Sequence, residues 1–363
     1  MRIVPFKALI PILEKLPDTE TFFDQAKFSF GEFYRNGLIR TLPENSFYIY
    51  TITDGAYNAT GLVACADVAD YLSGKIKKHE HTIISSEEKQ TELLRLHNAV
   101  LKPVLLLHPP ADALTEIYDE VIKTHPGVIT VTIKGVKHEI RAIKNPVHTR
   151  IIQAVFNEKI PAVYIADGHH RAASAGTLYL QNKKIPLLCV FFSFNDVRIK
   201  PFHRVVKDLN GLTPDIFLEK ISENFEIKIL SRKKMPRKKN EMILFFQKKY
   251  FQLNYNSEKN TSKENNSEKN FLTDAELFNE IVLKKILDIA DVRSSDKIEY
   301  LEDADARKKT NRKHEDTDVI FYLYGIQVRD FRNIVDTVGV MPPKSTFFEP
   351  RLLNGFVCCL LPE

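Results

Sequence analysis

The sequence predicts an α+β fold in which a mixed sheet with flanking helices is followed by a second α/β region. Short apolar runs of strand length alternate with longer segments that carry apolar residues at helical spacing. Alternating residues on both sides of Asp54-Gly55 predict a β-hairpin within this series. The 363 residues, 44% hydrophobic and 27% charged, are enough to bury one large core or two modest ones.

The composition indicates the cellular compartment of the protein and the classes of partner it can have. The net charge of +5 is dispersed in local runs, which does not predict a nucleic-acid-binding face. The four cysteines lie in apolar stretches without Cys-x-x-Cys spacing, so we expect free thiols in a reducing compartment. No signal-peptide core and no run of about eighteen apolar residues occurs. We therefore expect a cytoplasmic protein without membrane or nucleic-acid partners, and its oligomeric state, including a homodimer, stays open.

The first half reads as hairpins alternating with helices. Residues 46–54 and 60–66 form the first hairpin, and residues 127–143 form a second around Lys134-Gly135. The run 104–107 predicts a buried strand. Helical spacing predicts helices over residues 66–73, 87–99, 113–124 and 147–158.

The most informative stretch is 162–173. Ala162 to Ala166 reads as a buried strand and Arg171 to Leu180 as a helix, so Asp167-Gly168 is a strand-to-helix turn. Glycine permits the tight turn, and residues 169–171 fall where helix N–H groups lack partners and the dipole is positive. This pattern predicts an anion site, most plausibly for phosphate. A simple helix cap is the alternative, but a cap needs one acceptor and not two imidazoles and a guanidinium.

A second candidate segment is Lys75 to Thr82, with three lysines, two histidines and a glutamate in eight positions. Composition alone would indicate a solvated loop. Positive neighbours would keep Glu80 ionised, however, and the following Ser85 to Glu88 is a credible helix start. The segment is therefore also a candidate for catalysis.

Beyond the turn, residues 186–194 predict a central strand. The sequence then predicts a meander of three strands and a mobile polar loop at 256–270. Arg204 and Lys207 are candidate phosphate ligands, with an edge strand carrying solvated charges as the alternative. Prolines stiffen residues 341–350, so Lys344, Ser345 and Thr346 would form a fixed donor cluster, either a phosphate contact or part of a rigid surface arm. The remaining predicted elements are helices 213–225, 274–289 and 328–338, strands 227–230, 241–247 and 250–255 of the meander, and strands 297–301 and 319–324.

The turn also carries a family resemblance. Asp167-Gly168-His169-His170-Arg171 resembles the phosphate-binding turn of the ParB/sulfiredoxin superfamily, and in particular that of the archaeal free-serine kinases. The whole chain resembles a bacterial family known mainly as a domain of unknown function, through the stretches 75–82, 165–171, 204–212 and 341–346. The resemblance implies a ParB/sulfiredoxin-like catalytic core with an N-terminal elaboration over 1–211 and a C-terminal α/β region over 212–363.

The resemblance further implies a nucleotide-dependent phosphotransferase that interconverts L-serine and O-phosphoserine, as a serine kinase or as a phosphoserine-consuming enzyme of serine biosynthesis. Glu80 would accept the hydroxyl proton, and Asp167 would orient a histidine or bind Mg²⁺. ATP or ADP would be the nucleotide. The implied catalytic residues are Glu80, His79, His81, Asp167 and His170; the implied nucleotide-binding residues are Gly168, His169, His170 and Arg171; the implied substrate-binding residues are Lys78, Thr82, Arg204, Lys207, Lys344, Ser345 and Thr346.

Other chemistries fit the sequence less well. Zinc is disfavoured because the histidines lack ligand spacing and have cationic neighbours, and a P-loop motif does not occur. Sulfiredoxin-like repair needs a cysteine where this chain has His169 or His170. A ParB-like nucleotide switch or DNA-binding protein without turnover is the alternative function, and it predicts a helix-turn-helix segment and a contiguous basic face. We find neither in the sequence.

Overall fold

The computed structural model describes residues 1–181, 183–256, 271–289, 297–307 and 319–362. The chain divides into two compact units, one formed by Met1–Val197 with Pro350–Glu363 and the other by Arg198–Glu349. The second unit is thus inserted between two segments of the first. Among the described residues, no helix combines the length and apolar character needed to cross a bilayer.

The first unit is built on a nine-stranded mixed sheet. The strands of the unit are β1 (Ile3–Val4), β2 (Leu9–Pro11), β3 (Ile39–Thr41), β4 (Phe47–Asp54), β5 (Tyr57–Ala66), β6 (Ile76–Lys77), β7 (Ala99–Val100), β8 (Val104–His108), β9 (Ile129–Ile133), β10 (Val136–Ile143), β11 (Val163–Asp167) and β12 (Leu187–Ser193), with β21 (Cys359–Leu360) later in the chain. In the nine-stranded sheet, eight strands follow the order β6-β11-β8-β12-β5-β4-β10-β9 and β1 pairs with β5, while β2 pairs with β3 and β7 with β21 outside it. The helices of the unit are α1 (Thr19–Arg35), α2 (Val68–Leu72), α3 (Ile84–His97), α4 (Asp112–Thr124), α5 (Pro146–Ala154), continued by a π-helical segment (Val155–Lys159), and α6 (His169–Leu180), with short 3-10 turns at Leu13–Lys15 and Phe194–Asp196.

The hydrophobic core of this unit explains the choice of central strands. Strand β12 pairs in parallel with β8 and antiparallel with β5, and all its residues except Ser193 are buried. Apolar side chains of β5, β8 and β12 form one cluster with buried faces of α4, α5 and α6. The predicted hairpin across Asp54-Gly55 is confirmed by the pairing of β4 with β5, and the predicted central strand is confirmed by β12. The prediction of a mixed sheet with flanking helices therefore holds for this unit.

The strands of the second unit are β13 (Arg198–Lys200), β14 (Phe202–Val206), β15 (Phe225–Leu230), β16 (Glu241–Phe246), β17 (Lys249–Tyr255), β18 (Ile298–Glu302), β19 (Val319–Tyr322) and β20 (Phe347–Glu349). Six of them form an antiparallel sheet in the order β15-β17-β16-β19-β14-β18, so the unit is an α+β arrangement and not the predicted α/β region. The predicted three-strand meander is wrong, because β17 lies between β15 and β16. The helices of the second unit are α7 (Pro214–Asn224), α8 (Asp274–Leu277), continued by a π-helical segment (Phe278–Ile286), α9 (Asp303–Arg307) and α10 (Val328–Thr337).

The unit boundaries differ from the expected division at residue 211. Strands β13 and β14 pair with β20, β18 and β19, so residues 198–206 are held by the second unit. At the other end, β21 pairs with β7 and returns the chain to the first unit. The predicted mobile loop at 256–270 lies outside the described residues, apart from Asn256.

Candidate functional site

The strand-to-helix turn has the backbone that its sequence predicts. Strand β11 ends at Asp167, helix α6 begins at His169, and Gly168 between them has a φ of 102°. This left-handed conformation strains residues with a Cβ, and a Cβ here would also lie only 2.6 Å from Nη2 of Arg171. Glycine is therefore required by the turn, whereas the guanidinium packed over it belongs to a flexible side chain that could shift.

The carboxylate of Asp167 is held between two cations. Its Oδ2 accepts a hydrogen bond from Arg171 Nη2 at 2.9 Å and lies 3.8 Å from Lys102 Nζ. Burial acts to raise the pKa of Asp167, but the charges of Arg171, Lys102 and Arg351 outweigh it and hold the pKa well below its usual value. These cations would repel a divalent ion, so the surroundings of Asp167 do not fit the predicted Mg²⁺ ligand.

The same cations are well suited to an anionic ligand. Within the described part of the chain, the Nε of Arg171 is buried and has no hydrogen-bond partner. A buried donor without a partner is costly, and an anion would satisfy it. Burial, assisted by the charge of Arg171, lowers the pKa of Lys102 to about 8. Lys102 therefore remains largely protonated at neutral pH and would gain from a bound negative charge.

A cavity of about 270 Å³ opens beside these two cations. This is close to the lower end of the range for small-ligand sites, roughly 300 Å³. Most of its wall is apolar, with Lys27, Lys102, Arg171, Gln90 and Asn354 as its polar groups. The apolar lining comes from Leu93, Leu94, Ala99, Val100, Leu101, Val104, Ala175, Ile185, Pro186, Leu187 and Leu188.

The loop between β6 and α3 runs past the start of α6. Its His79 is buried, with its backbone N–H donating to His169 Nε2 at 3.4 Å and the two rings 4.4 Å apart, edge to face. On the same loop, Glu80 Oε2 lies 3.9 Å from His169 Nδ1. The structure thus brings together Glu80, His79 and the turn, although they are about ninety positions apart in the sequence.

Both buried histidines favour the neutral form. Burial lowers the pKa of His79 to about 4, and burial together with the nearby His79 lowers the pKa of His169 well below its usual value. Nitrogen and oxygen atoms of His79, Glu80 and His169 lie within 4.8 Å of one another, close enough for a metal ion to be considered.

The remaining predicted residues of this segment have different surroundings. The ring of His170 is half-buried, and its Nε2 accepts the backbone N–H of Ile83 at 3.1 Å. The side chains of Lys78 and His81 are exposed and that of Thr82 is half-buried. The turn and the loop therefore form one cluster of residues, with Lys78 and His81 at its solvent side.

Arg204 belongs to the second unit and is fully buried there. Its Nη1 donates to the Phe202 carbonyl at 2.7 Å and its Nη2 to the Lys344 carbonyl at 3.0 Å, while the guanidinium lies over the Tyr300 ring. Arg204 thus holds the chain near Lys344 in place, in contrast to the phosphate ligand suggested by the sequence.

The other four predicted substrate residues also lie in the second unit. Lys207 pairs with Glu299 at 3.9 Å on the surface. Ser345 donates its hydroxyl to the Pro342 carbonyl at 2.6 Å, and the Lys344 ammonium lies over the Phe202 ring. Lys344 has a φ of 57°, so the segment contains a turn and is not extended throughout. Thr346 is half-buried. Their role in substrate binding stays a prediction.

Sequence reasoning missed Lys102. Its signal was available: it is a single lysine within the apolar stretch 99–107 and directly precedes Pro103. An isolated cation in such a stretch is unusual unless it meets a partner. Here the partner is Asp167 of the turn.

A family model described as "Protein of unknown function (DUF1015)" matches residues 10–284, which is more than half of the chain. The chain belongs to this family. The match includes the loop at 79–83, Lys102 and the turn at 167–171, so the site described above is part of the DUF1015 region. No curated protein matches the chain at a significant level.

Solved structures similar to this DUF1015 protein are distant. A mutant free serine kinase in complex with ADP is 17% identical, with 76% of this chain and 84% of that chain covered and a TM-score of 0.39. A free serine kinase in complex with AMP is 18% identical, with 76% and 83% covered and a TM-score of 0.38. SbnI with a C-terminal truncation, from Staphylococcus aureus, is 12% identical, with 80% and 85% covered and a TM-score of 0.42.

Proposed function

We propose that this protein is a nucleotide-dependent phosphotransferase that interconverts L-serine and O-phosphoserine. The observation that carries the proposal is the approach of Glu80 to the turn, where its carboxylate lies 3.9 Å from the His169 ring. A carboxylate beside a phosphate-binding helix N-terminus is the pair of groups that phosphoryl transfer to a hydroxyl requires. A glutamate directed away from the turn would have removed this support.

The phosphate end of the site is supported by three groups of the chain. The first-turn N–H groups of α6 carry the positive end of the helix dipole. The buried Arg171 Nε supplies a donor, and Lys102 supplies a charge 3.8 Å from Asp167. Together they would bind and neutralise the phosphates of ADP or ATP, while the apolar cavity beside them would accommodate the nucleoside base.

The hydroxyl end of the site is assigned to Glu80. An ionised carboxylate there would accept the hydroxyl proton as the phosphoryl group arrives, and would return it in the opposite direction. The nucleotide supplies the phosphoryl group or accepts it. Serine and phosphoserine are proposed as the substrate pair because the motif at 167–171 resembles that of the free-serine kinases. Asp167 is unsuited to hold Mg²⁺, because Arg171 and Lys102 already pair with that carboxylate.

The test follows phosphorus by ³¹P NMR with the full-length protein. Four mixtures are compared: serine with ATP, serine with ADP, phosphoserine with ADP, and phosphoserine without nucleotide. We expect turnover only where a nucleotide is present. We also expect Glu80→Gln to lower kcat by roughly 100-fold or more while nucleotide affinity measured by calorimetry is retained.

The matched control is Glu88→Gln, which removes an exposed carboxylate of α3 and should leave kcat unchanged. Turnover in none of the mixtures, or full activity in Glu80→Gln, would refute the proposal. Nucleotide binding without any turnover would instead favour the nucleotide-switch alternative.

A further inference from the structure

The two histidines of the turn use the same ring nitrogen for the same purpose. His169 Nε2 accepts the backbone N–H of His79 at 3.4 Å, and His170 Nε2 accepts the backbone N–H of Ile83 at 3.1 Å. The three residues between these anchor points are Glu80, His81 and Thr82. Two neighbouring helix residues therefore hold both ends of the loop segment that carries the proposed base.

These contacts determine the tautomer of both rings. A neutral imidazole carries one proton, so a ring that accepts through Nε2 carries its proton on Nδ1. In His169 this Nδ1 faces Glu80 Oε2 at 3.9 Å. His169 would then present an N–H to the carboxylate and would have no lone pair there to take a proton from it. Its role toward Glu80 is to orient the carboxylate, because it cannot act as an acceptor.

The same pattern disfavours a metal ion between His79, Glu80 and His169. Metal binding through His169 Nδ1 would move the ring proton to Nε2, where it would face the N–H of His79. Metal binding through Nε2 would displace that N–H instead. The proximity of the three residues is explained without a metal, by one accepted backbone hydrogen bond and one imidazole directed at a carboxylate.

We propose that His169 and His170 are positioning residues that form a histidine clasp: each accepts a backbone N–H of the 79–83 loop, and together they fix Glu80 beside the first turn of α6. The role assigned to Glu80 rests on the proposed phosphotransferase function. The clasp itself is a statement about the loop and is measurable without turnover. It explains why the turn carries two imidazoles, which phosphate binding by backbone N–H groups does not require.

Substitution by glutamine or asparagine tests which ring nitrogen of each histidine the clasp requires. A glutamine side chain places an amide near the position of Nε2 and keeps an acceptor for the loop, whereas asparagine reaches only to the position of Nδ1. We expect His170→Ala to increase amide hydrogen exchange over 79–83 about tenfold, the ratio that corresponds to one net hydrogen bond. His170→Gln should restore exchange to near the wild-type rate.

His169 has a second contact and therefore a second readout. His169→Gln keeps the acceptor for the His79 N–H but loses the N–H directed at Glu80, so we expect near-normal exchange with kcat lowered about tenfold and KM little changed. His169→Asn loses the acceptor at the position of Nε2, so we expect amide hydrogen exchange over 79–83 to increase. A residue that only filled space would not separate exchange from kcat in this way.

The experiment is hydrogen–deuterium exchange with mass spectrometry on the full-length protein without ligand, paired with the kinetic assays. His125→Ala, a histidine that follows α4, is the control and should leave exchange over 79–83 unchanged. Unchanged exchange in both His169→Ala and His170→Ala would overturn the clasp. If exchange over 79–83 increases in the alanine variants but the wild type turns over neither serine nor phosphoserine, the clasp is supported and the phosphotransferase is refuted.

A measurement on the wild type guards against variants that fail to fold. Long-range ¹H–¹⁵N spectra of the imidazole nitrogens report which ring nitrogen carries the proton. We expect the Nδ1–H tautomer for both His169 and His170. The Nε2–H tautomer at either ring would remove its acceptor and overturn the proposal.

Discussion

Each unit contains a His-Arg pair in the neighbourhood of an aspartate, half-buried Asp167 in the first and buried Asp303 in the second, and the two pairs have different surroundings. In the first unit, His170-Arg171 lies at a helix N-terminus and Arg171 lines a cavity, whereas a buried Nε without a hydrogen-bond partner is common to Arg171 and Arg204 among the described residues. In the second unit, His203-Arg204 lies within strand β14, where both side chains are fully buried. The same dipeptide thus faces a cavity in one unit and the interior of a sheet in the other.

The side chains of His203 and Arg204 make their hydrogen bonds within the second unit. His203 accepts the Leu323 N–H through Nδ1 and contacts Asp303 through Nε2, and Asp303 also binds Arg307. The terminal nitrogens of Arg204 both donate to carbonyls. The comparison teaches that a cluster of charged residues indicates a functional site only when some of its hydrogen-bonding capacity is directed at open space.

The largest expected effect is on the stability of the second unit. Arg204→Met should lower the free energy of unfolding by about 2–6 kcal/mol, because two carbonyls lose a charged donor. Chemical denaturation measures this, and nucleotide affinity should be unaffected. Arg232→Met, an exposed arginine of the same unit, serves as the control. An effect on nucleotide affinity with normal stability would reverse the comparison.

The next effect concerns acid stability. Burial acts to raise the pKa of Asp303, but hydrogen bonds from His203 and Arg307 outweigh it and lower the pKa below its usual value. A lowered folded-state pKa contributes stability above the unfolded pKa, about 4, that is lost as pH falls through the folded value.

Asp303→Asn should therefore lose about 2 kcal/mol at neutral pH and converge with the wild type in acid. Denaturation curves at several pH values measure this, with the exposed Asp330→Asn as the control. Parallel curves at all pH values would contradict the assignment.

Substitution of Arg171 should change nucleotide affinity more than stability, the reverse of what we expect for Arg204. Arg171→Met removes a charged donor from the cavity wall, so nucleotide affinity should fall roughly 10- to 100-fold, with a smaller change in stability. Calorimetric titration with ADP is the measurement. Arg150→Met, an exposed arginine of α5, should bind as the wild type does. Unaltered affinity in Arg171→Met would remove the proposed difference between the units.

The smallest effect is a pH dependence. Burial lowers the pKa of Lys102 to about 8, so its charge is present at neutral pH and is lost as pH rises through that value. As the pH rises through the pKa of Lys102, nucleotide affinity should fall about tenfold in the wild type, but not in Lys102→Met. The exposed Lys123→Met should retain the wild-type profile. A fall that persists in Lys102→Met would assign the titration to another group.

Local signals in the sequence were sufficient for much of the fold. The hairpin across Asp54-Gly55, strand β12 and the turn at Gly168 follow from alternation, apolar runs and backbone requirements of adjacent residues. Pairing between distant segments was not predictable in this way. Strand β17 lies between β15 and β16, and the pairing of β21 with β7 spans most of the chain.

The site was predicted where its parts were close in sequence. The motif at 167–171 and the segment around Glu80 were each identified, and their proximity was inferred from a resemblance. Lys102 stands out in the sequence as an isolated cation in an apolar stretch, but its pairing with Asp167 arises only from tertiary packing. The sequence leaves Arg204 either a candidate phosphate ligand or a solvated charge on an edge strand, because residue type alone does not distinguish a buried guanidinium on carbonyls from one that faces solvent.

The insertion of the second unit has a consequence for biosynthesis. Asn354 lines the cavity, and Arg351 contributes charge around Asp167, yet both are translated after the whole of the second unit. A ribosome adding roughly 5–20 residues per second would need roughly 8–30 seconds to translate the second unit. The nascent chain would therefore complete this cavity wall only after Asn354 has emerged.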